Sequence, residues 1–196
     1  MGASVNRWIK LIAGTFMLLF LGLLYAWSIF NAPFKSVYES WTVSQLSMTF
    51  TISMIFFCLS AFVAGNLAKK ISTQNILRIA AVMLFVGFFG VSMLNPEDSA
   101  TSLILLYILY GFLCGSGVGM GYNAIISTVN KSFADRAGLA SGVMLLGFGL
   151  GGIVLGGTVG SVIEKIGLFP TFRILGILIA VVLFVGSIFI PPPPVE

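Results

Sequence analysis

Six apolar runs, each near the ~20 residues a helix needs to cross a hydrocarbon core, leave this chain few ways to fold. They cover residues 8–30, 46–65, 76–94, 103–127, 139–162 and 172–190. With 58% hydrophobic residues, 8% charged residues and a mean hydropathy of +1.09, too little polar surface remains to coat a soluble domain of this length. The expectation is an all-α, multi-pass membrane protein. The first run is too long, and too poor in a small-residue cleavage site, to be a signal peptide, so it counts as a span.

Short loops join the runs, and their cations set the orientation. One side collects Arg7, Lys10, Lys69, Lys70, Arg78, Lys131 and Arg136, the other only Lys35, Lys165 and Arg173. Under the positive-inside rule both termini face the cytoplasm, in the cell membrane. The net charge of +4 is divided among loops, with no single patch, so nucleic acid is not an expected partner. Histidine is absent and no Cys, Asp or Glu cluster has ligand spacing, so neither a metal nor a cofactor is expected. Cys58 and Cys114 lie inside apolar runs, where small buried hydrophobes are expected in preference to a disulfide.

Glycine is concentrated between Tyr107 and Gly160. Lipid tails are as apolar as Leu, so helices in a bilayer cohere by close packing, and glycine lets two backbones approach. Gly111, Gly115 and Gly119 share one helical face, as do Gly152, Gly156 and Gly160, and Gly147 and Gly151 extend the second set. These faces are expected to pack and, if the protein moves, to slide or rock. Gly147, Gly149 and Gly152 also satisfy the spacing of a dinucleotide fingerprint, but that motif needs a preceding strand and carries no weight inside a span.

The chain repeats. A shift of 95 residues lays Gly65, Lys70 and Ile71 on Gly160, Lys165 and Ile166 and brings the three apolar runs of each half into register. Three spans is an odd number, so the second copy must sit upside down relative to the first. Nested inverted three-helix repeats are the pattern of one six-helix half of a major facilitator transporter, although other transporter folds use inverted repeats too.

Particular residues sharpen that likeness. Leu24 to Phe30 (LYAWSIF), Gly111 to Asn123 (GFLCGSGVGMGYN), Ser127 to Phe133 (STVNKSF) and Asp135 to Gly142 (DRAGLASG) together resemble the oxalate/formate antiporter-like branch of the major facilitator superfamily. The likeness covers essentially the whole chain but only the amino-terminal half of a typical twelve-span member. Residues 191–196, with their proline run, resemble the start of the linker between halves. The resemblance thus implies a second six-helix half, in the same chain or as a second subunit.

Departures from the wider superfamily are informative. In the loop after the second span, Lys69 and Ser72 stand where the superfamily pattern has Asp and Gly, although Gly65 and Lys70 fit. Gly111 occupies the position where proton-coupled members commonly place Arg, and no Asp or Glu lies in the core of a span. Both observations argue against proton coupling through this half. The fifth span lacks the proline usual in the antiporter motif.

In the resembled fold the first and fourth spans line the central cavity. That makes Tyr25, Trp27, Ser28, Tyr122 and Asn123 the expected substrate-binding residues, Tyr25 first, because its hydroxyl lies deepest and needs a partner. For Trp27 and Tyr122 an interfacial aromatic belt is the competing reading, and it is the expectation for Trp8, Tyr38 and Trp41 beside loops and for Tyr107 and Tyr110. Lys70, Asp135 and Arg136 are the expected cytoplasmic gate. The resemblance implies a secondary transporter, without enzyme activity, that exchanges small mono- or dicarboxylate anions. The alternatives are a non-transporting assembly module and a half-transporter working only as a dimer. No paired carboxylates, metal ligands or Ser/His arrangement support a membrane enzyme.

Overall fold

The computed structural model describes residues 6–191 of the chain; 192–196, most of the expected linker start, lie outside them. Polar caps set the helix starts, which is why the helices begin a few residues before the apolar runs do. The Asn6 side chain accepts the Trp8 N–H and opens α1 (Arg7–Leu21), which tightens into a 3-10 segment (Gly22–Ala26) and resumes as α2 (Ser28–Val37). Thr42 and Gln45 form a reciprocal capping box at the start of α3 (Val43–Leu67). Ser72 caps α4 (Thr73–Val91), and Asp98 caps α5 (Ser99–Leu106). The Thr101 hydroxyl and N–H hold the Asp98 carboxyl below its ordinary range.

The fourth span widens from α5 into a π-helix (Tyr107–Cys114) before continuing as α6 (Gly115–Ser132). A 3-10 turn (Ala134–Arg136) leads to α7 (Ala137–Ile166). Only Gly167, at φ +90°, separates α7 from α8 (Leu168–Ile188); a side chain there would be strained. Six of these segments are long and apolar enough to cross a membrane: Arg7–Ala26, Val43–Leu67, Thr73–Val91, Ser99–Ser132, Ala134–Ile166 and Leu168–Ile188. Their alternation places Arg7 and the loops around Lys70 and Asp135 at one end of the bundle, here called the basic end.

The packing obeys the repeat. The first span packs on the fifth as the fourth packs on the second, the third meets the fourth as the sixth meets the first, and the third and sixth pack on each other. Exchanging first with fourth, second with fifth and third with sixth leaves that pattern unchanged, so the six helices are two inverted three-helix repeats. The first and fourth spans are central, the third and sixth form one outer pair, and the second and fifth flank the centre.

Glycine makes the two flanking contacts possible. At Gly115 a Cβ would stand 2.5 Å from the Ser53 carbonyl oxygen, at Gly119 it would overlap the Phe57 carbonyl, and at Gly111 it would press on Ile52. On the other side, Gly151 lies against the Leu19 carbonyl and Gly22, Gly147 against Thr15, and Gly156 against Ala26. Gly160 is a correction: no heavy atom lies within 4 Å of a Cβ built there, because the helices have diverged beyond Gly156. The packed stripe is therefore Gly147, Gly151 and Gly156, joined by Gly22.

Several expected belt aromatics are core instead. Tyr38 and Trp41 are buried and stacked with ring centroids 4.0 Å apart, and the Trp41 indole N–H donates to the Ser99 carbonyl at 3.1 Å. The segment between α2 and α3 folds back over the bundle end, which covers them. Tyr110, fully buried, joins Trp27, Phe30, Phe88 and Phe172 in an aromatic knot. Trp8 stays 44% exposed. Cys114 is buried as expected, but Cys58 is exposed on α3; both are free thiols.

Candidate functional site

The candidate site lies where the second and fifth spans meet over the first and fourth, on the side away from the third and sixth. The Phe57 and Phe148 rings stack across this junction with centroids 6.1 Å apart. Tyr122 lies 5.3 Å from Phe57 and 4.8 Å from Phe148, and Tyr25 meets the Phe148 edge at 5.2 Å. One ring from each of four spans thus forms a shared wall. Tyr25 is 47% exposed, and neither tyrosine hydroxyl has a protein partner among the described residues.

Toward the end opposite the basic one, a cavity of about 300 Å³ opens between the first two spans, lined by Tyr25, Trp27, Ser28, Asn31, Ser47, Phe50 and Thr51. Tyr25, Ser28 and Asn31 recur every three residues and share a face. Asn31 Oδ1 is buried and accepts no hydrogen bond among the described residues. An unpaired buried acceptor is costly, so this oxygen is a candidate for receiving a donor from a ligand or water. Local backbone contributes: Tyr25 sits in the 3-10 segment, and Pro33 cannot donate the backbone hydrogen bond a regular turn would make to Ile29.

Of the five residues expected from sequence, the structure brings Tyr25, Ser28 and Tyr122 to this face. Asn123 lies next on α6, its amide 3.8 Å from where a Cβ on Gly65 would stand. Trp27 borders the cavity but is only 3% exposed, and its indole N–H donates to the Leu46 carbonyl at 2.8 Å. It holds the first span to the second. The 95-residue shift carries Trp27 and Ser28 onto Tyr122 and Asn123, so the central spans offer equivalent aromatic-polar pairs.

Sequence reasoning missed Asn31, Ser47, Thr51, Phe57 and Phe148. The first three had a legible signal: Asn31 continues the Tyr25 and Ser28 face, and Ser47 and Thr51 are hydroxyls one turn apart in an apolar helix. The two phenylalanines had none, since Phe on a membrane helix is ordinary on either a lipid or a protein face.

At the basic end, Arg7 Nη1 donates to both Asp135 carboxylate oxygens, at 2.9 and 3.1 Å, and Arg136 Nε lies 3.8 Å from the same carboxylate. The Arg7 guanidinium also rests 5.1 Å from the Phe133 ring centre. Of the three expected gate residues, Asp135 and Arg136 come together, Arg7 is an unexpected third member, and Lys70 makes no ion pair among the described residues. Beneath them, Lys10 Nζ donates to Ser132 Oγ at 3.3 Å, and the Thr73 and Thr128 hydroxyls bond at 2.8 Å.

An inverted-repeat bundle of six membrane helices, with a polar and aromatic face across its central spans, defines a half-unit of a multi-pass membrane transporter fold. The chain matches the family model described as Major Facilitator Superfamily over residues 11–196, and it belongs to that superfamily. It is 27% identical over 189 residues to the uncharacterized MFS-type transporter YhjX of Escherichia coli, covering 96% of this chain and 45% of the relative. It is 29% identical over 189 residues to the oxalate:formate antiporter of Oxalobacter formigenes, covering 94% and 43%. It is also 29% identical over 164 residues to monocarboxylate transporter 10 of Mus musculus, covering 84% and 29%. The chain spans less than half the length of each of these relatives. Membership of a transporter family points to a transporter in preference to an enzyme.

Proposed function

We propose that these six helices are the amino-terminal half of a secondary transporter that exchanges small mono- or dicarboxylates by alternating access, with the basic end cytoplasmic. The observation that carries this reading is the convergence of free hydroxyl groups, from Tyr25, Ser28 and Tyr122, on one face across the central spans, with the unpaired Asn31 oxygen lining the same cavity as Tyr25 and Ser28. The hydroxyls donate to carboxylate oxygens, while the buried Asn31 Oδ1 accepts from a water or a protonated carboxyl group. The names of two relatives, an oxalate:formate antiporter and a monocarboxylate transporter, support the substrate class.

A carboxylate in a low-dielectric site also needs a cation. The cations of the six spans, Arg7, Lys10, Arg78, Lys131, Arg136, Lys165 and Arg173, all stand near span ends, and none lines the cavity. The proposal therefore assigns the charge to a second six-helix half, which closes the face into a cavity. Asn123 extends the polar lining, and Trp27 positions Tyr25 and Ser28. The glycine contacts at Gly111, Gly115, Gly119, Gly147, Gly151 and Gly156 let the spans rock, while the Arg7, Asp135 and Arg136 cluster fastens the basic end when the opposite end is open. Lys70 adds positive potential there.

Tyr25→Phe tests the assignment, because it removes one exposed hydroxyl and no packing. In proteoliposomes containing this chain with its second half, oxalate exchange should show about fivefold weaker apparent affinity, the scale of one hydrogen bond. Unchanged affinity in a normally folded variant rejects Tyr25 as a ligand.

A further inference from the structure

The outer pair, α4 and α8, carries a feature that the transport reading does not use. Arg78 rests over the Phe184 ring at 5.5 Å from its centre, and Arg173 rests over the Phe89 ring at the same 5.5 Å. The 95-residue shift carries Arg78 onto Arg173 and Phe89 onto Phe184, so the two cation-π pairs are images of one another under the inverted repeat. Each arginine is the sixth residue of its helix, and the helices are antiparallel, so one guanidinium stands near each end of the pair. Both are exposed, and among the described residues neither has a carboxylate within ion-pair distance.

Between them runs an apolar groove of about 350 Å³, lined by residues such as Ala81, Val82, Phe85, Ile177 and Val181. An α-helix is ~10–12 Å across and would not enter a groove of this volume; an acyl chain would. A second copy docked about an axis along the membrane normal would bring each arginine toward its own image, a like-charge contact. Each arginine lies about 8 Å along its helix from the helix start, and its long side chain can carry the charge outward to the headgroup level.

We infer that the α4/α8 groove is a phospholipid site selective for an anionic headgroup, with one lipid in each leaflet, its acyl chain in the groove and its phosphate on Arg78 or Arg173. The pairing with Phe184 and Phe89 holds each guanidinium at the groove and, apart from the Arg78 Nη1 bond to Asn75 Oδ1 at 3.4 Å, leaves its N–H donors available to the phosphate.

The test uses the purified full chain, delipidated in detergent and titrated with phosphatidylglycerol or phosphatidylcholine, with retained lipid counted by native mass spectrometry. Two phosphatidylglycerols should be retained in preference to phosphatidylcholine, a comparison that needs no variant. Arg78→Gln and Arg173→Gln should each leave one, with the preference falling about fivefold per arginine removed. Arg78→Lys and Arg173→Lys should keep most of it, and Lys131→Gln, an exposed cation away from the groove, should change nothing. Equal retention of the two lipids by the unmodified chain, wild-type retention by the double Gln variant, an equal loss in Lys131→Gln, or a lipid-free dimer would each overturn the proposal.

Discussion

Two faces of this bundle descend from the same repeat and differ in what they offer their surroundings. On the outer face, α4 and α8 meet along Ala81, Val82, Phe85, Ile177 and Val181, with a cation only near each end. On the inner face, α3 and α7 approach over the central spans, with the free Tyr25 and Ser28 hydroxyls beside the buried Asn31 oxygen and the Tyr122 ring against Phe57 and Phe148. The helix geometry is shared, and the polarity of a few positions decides which face suits lipid and which suits a solute. The repeat supplies the frame; the aromatic-polar pairs of the first and fourth spans make one side of it the proposed site.

The contrast is most easily broken at the glycines that bring the flanking spans inward. Gly115→Leu or Gly151→Leu drives a branched side chain into the Ser53 or Leu19 backbone and should cost about 3 kcal/mol, the upper end of overpacking costs, seen as lost yield and lower thermal stability in detergent. Gly157→Leu, with no heavy atom near its Cβ, should stay within about 0.5 kcal/mol of the parent. Equal damage at all three would mean that close approach does not explain the glycines, since Leu is the better helix former and would not by itself destabilise.

Trp27→Phe acts on both stability and binding. It keeps a ring in the aromatic knot but removes the bond to Leu46, and should lower stability by about 1–2 kcal/mol. The first span would loosen from α3, so ligand affinity should fall through Ser28 and Tyr25. Tyr25→Phe, by contrast, should lower affinity with stability unchanged. Smallest of all is Asp135→Asn. The Arg7 pair is 40% exposed on the arginine and 52% on the carboxylate, so its loss should cost under ~1 kcal/mol and be masked by high salt. A change in the rate of exchange at low salt that vanishes at high salt would mark a gate; equal rates at both would leave the pair with a purely local role.

Much of this frame was legible in the sequence. Membrane helices announce themselves by length and apolarity, and an inverted repeat by the register of its runs, because both are properties of one chain read in order. The Gly111, Gly115 and Gly119 stripe was legible for the same reason. Gly160 was not distinguishable from Gly156, since where two helices diverge depends on both of them. Helix type was equally hidden: nothing local marks Tyr107 to Cys114 as π-helical or Gly22 to Ala26 as 3-10. Arg7 and Asp135 meet across 128 residues of sequence, and Phe57 and Phe148 come from different repeats, so those contacts emerge only with the fold. Tyr38 and Trp41 sit near helix ends like belt residues, and only their stacking and the Trp41 bond to Ser99 reveal that they are enclosed, while Tyr110 is enclosed by rings from the first, third and sixth spans.

On the proposed reading the inner face meets water and the outer face meets lipid. In a background with Cys58→Ser and Cys114→Ala, Tyr25→Cys and Val82→Cys are made singly and treated, in membranes, with a membrane-impermeant maleimide. The account predicts rapid labelling at position 25, slowed by oxalate, and none at position 82. Labelling at position 82 as fast as at position 25 would contradict it.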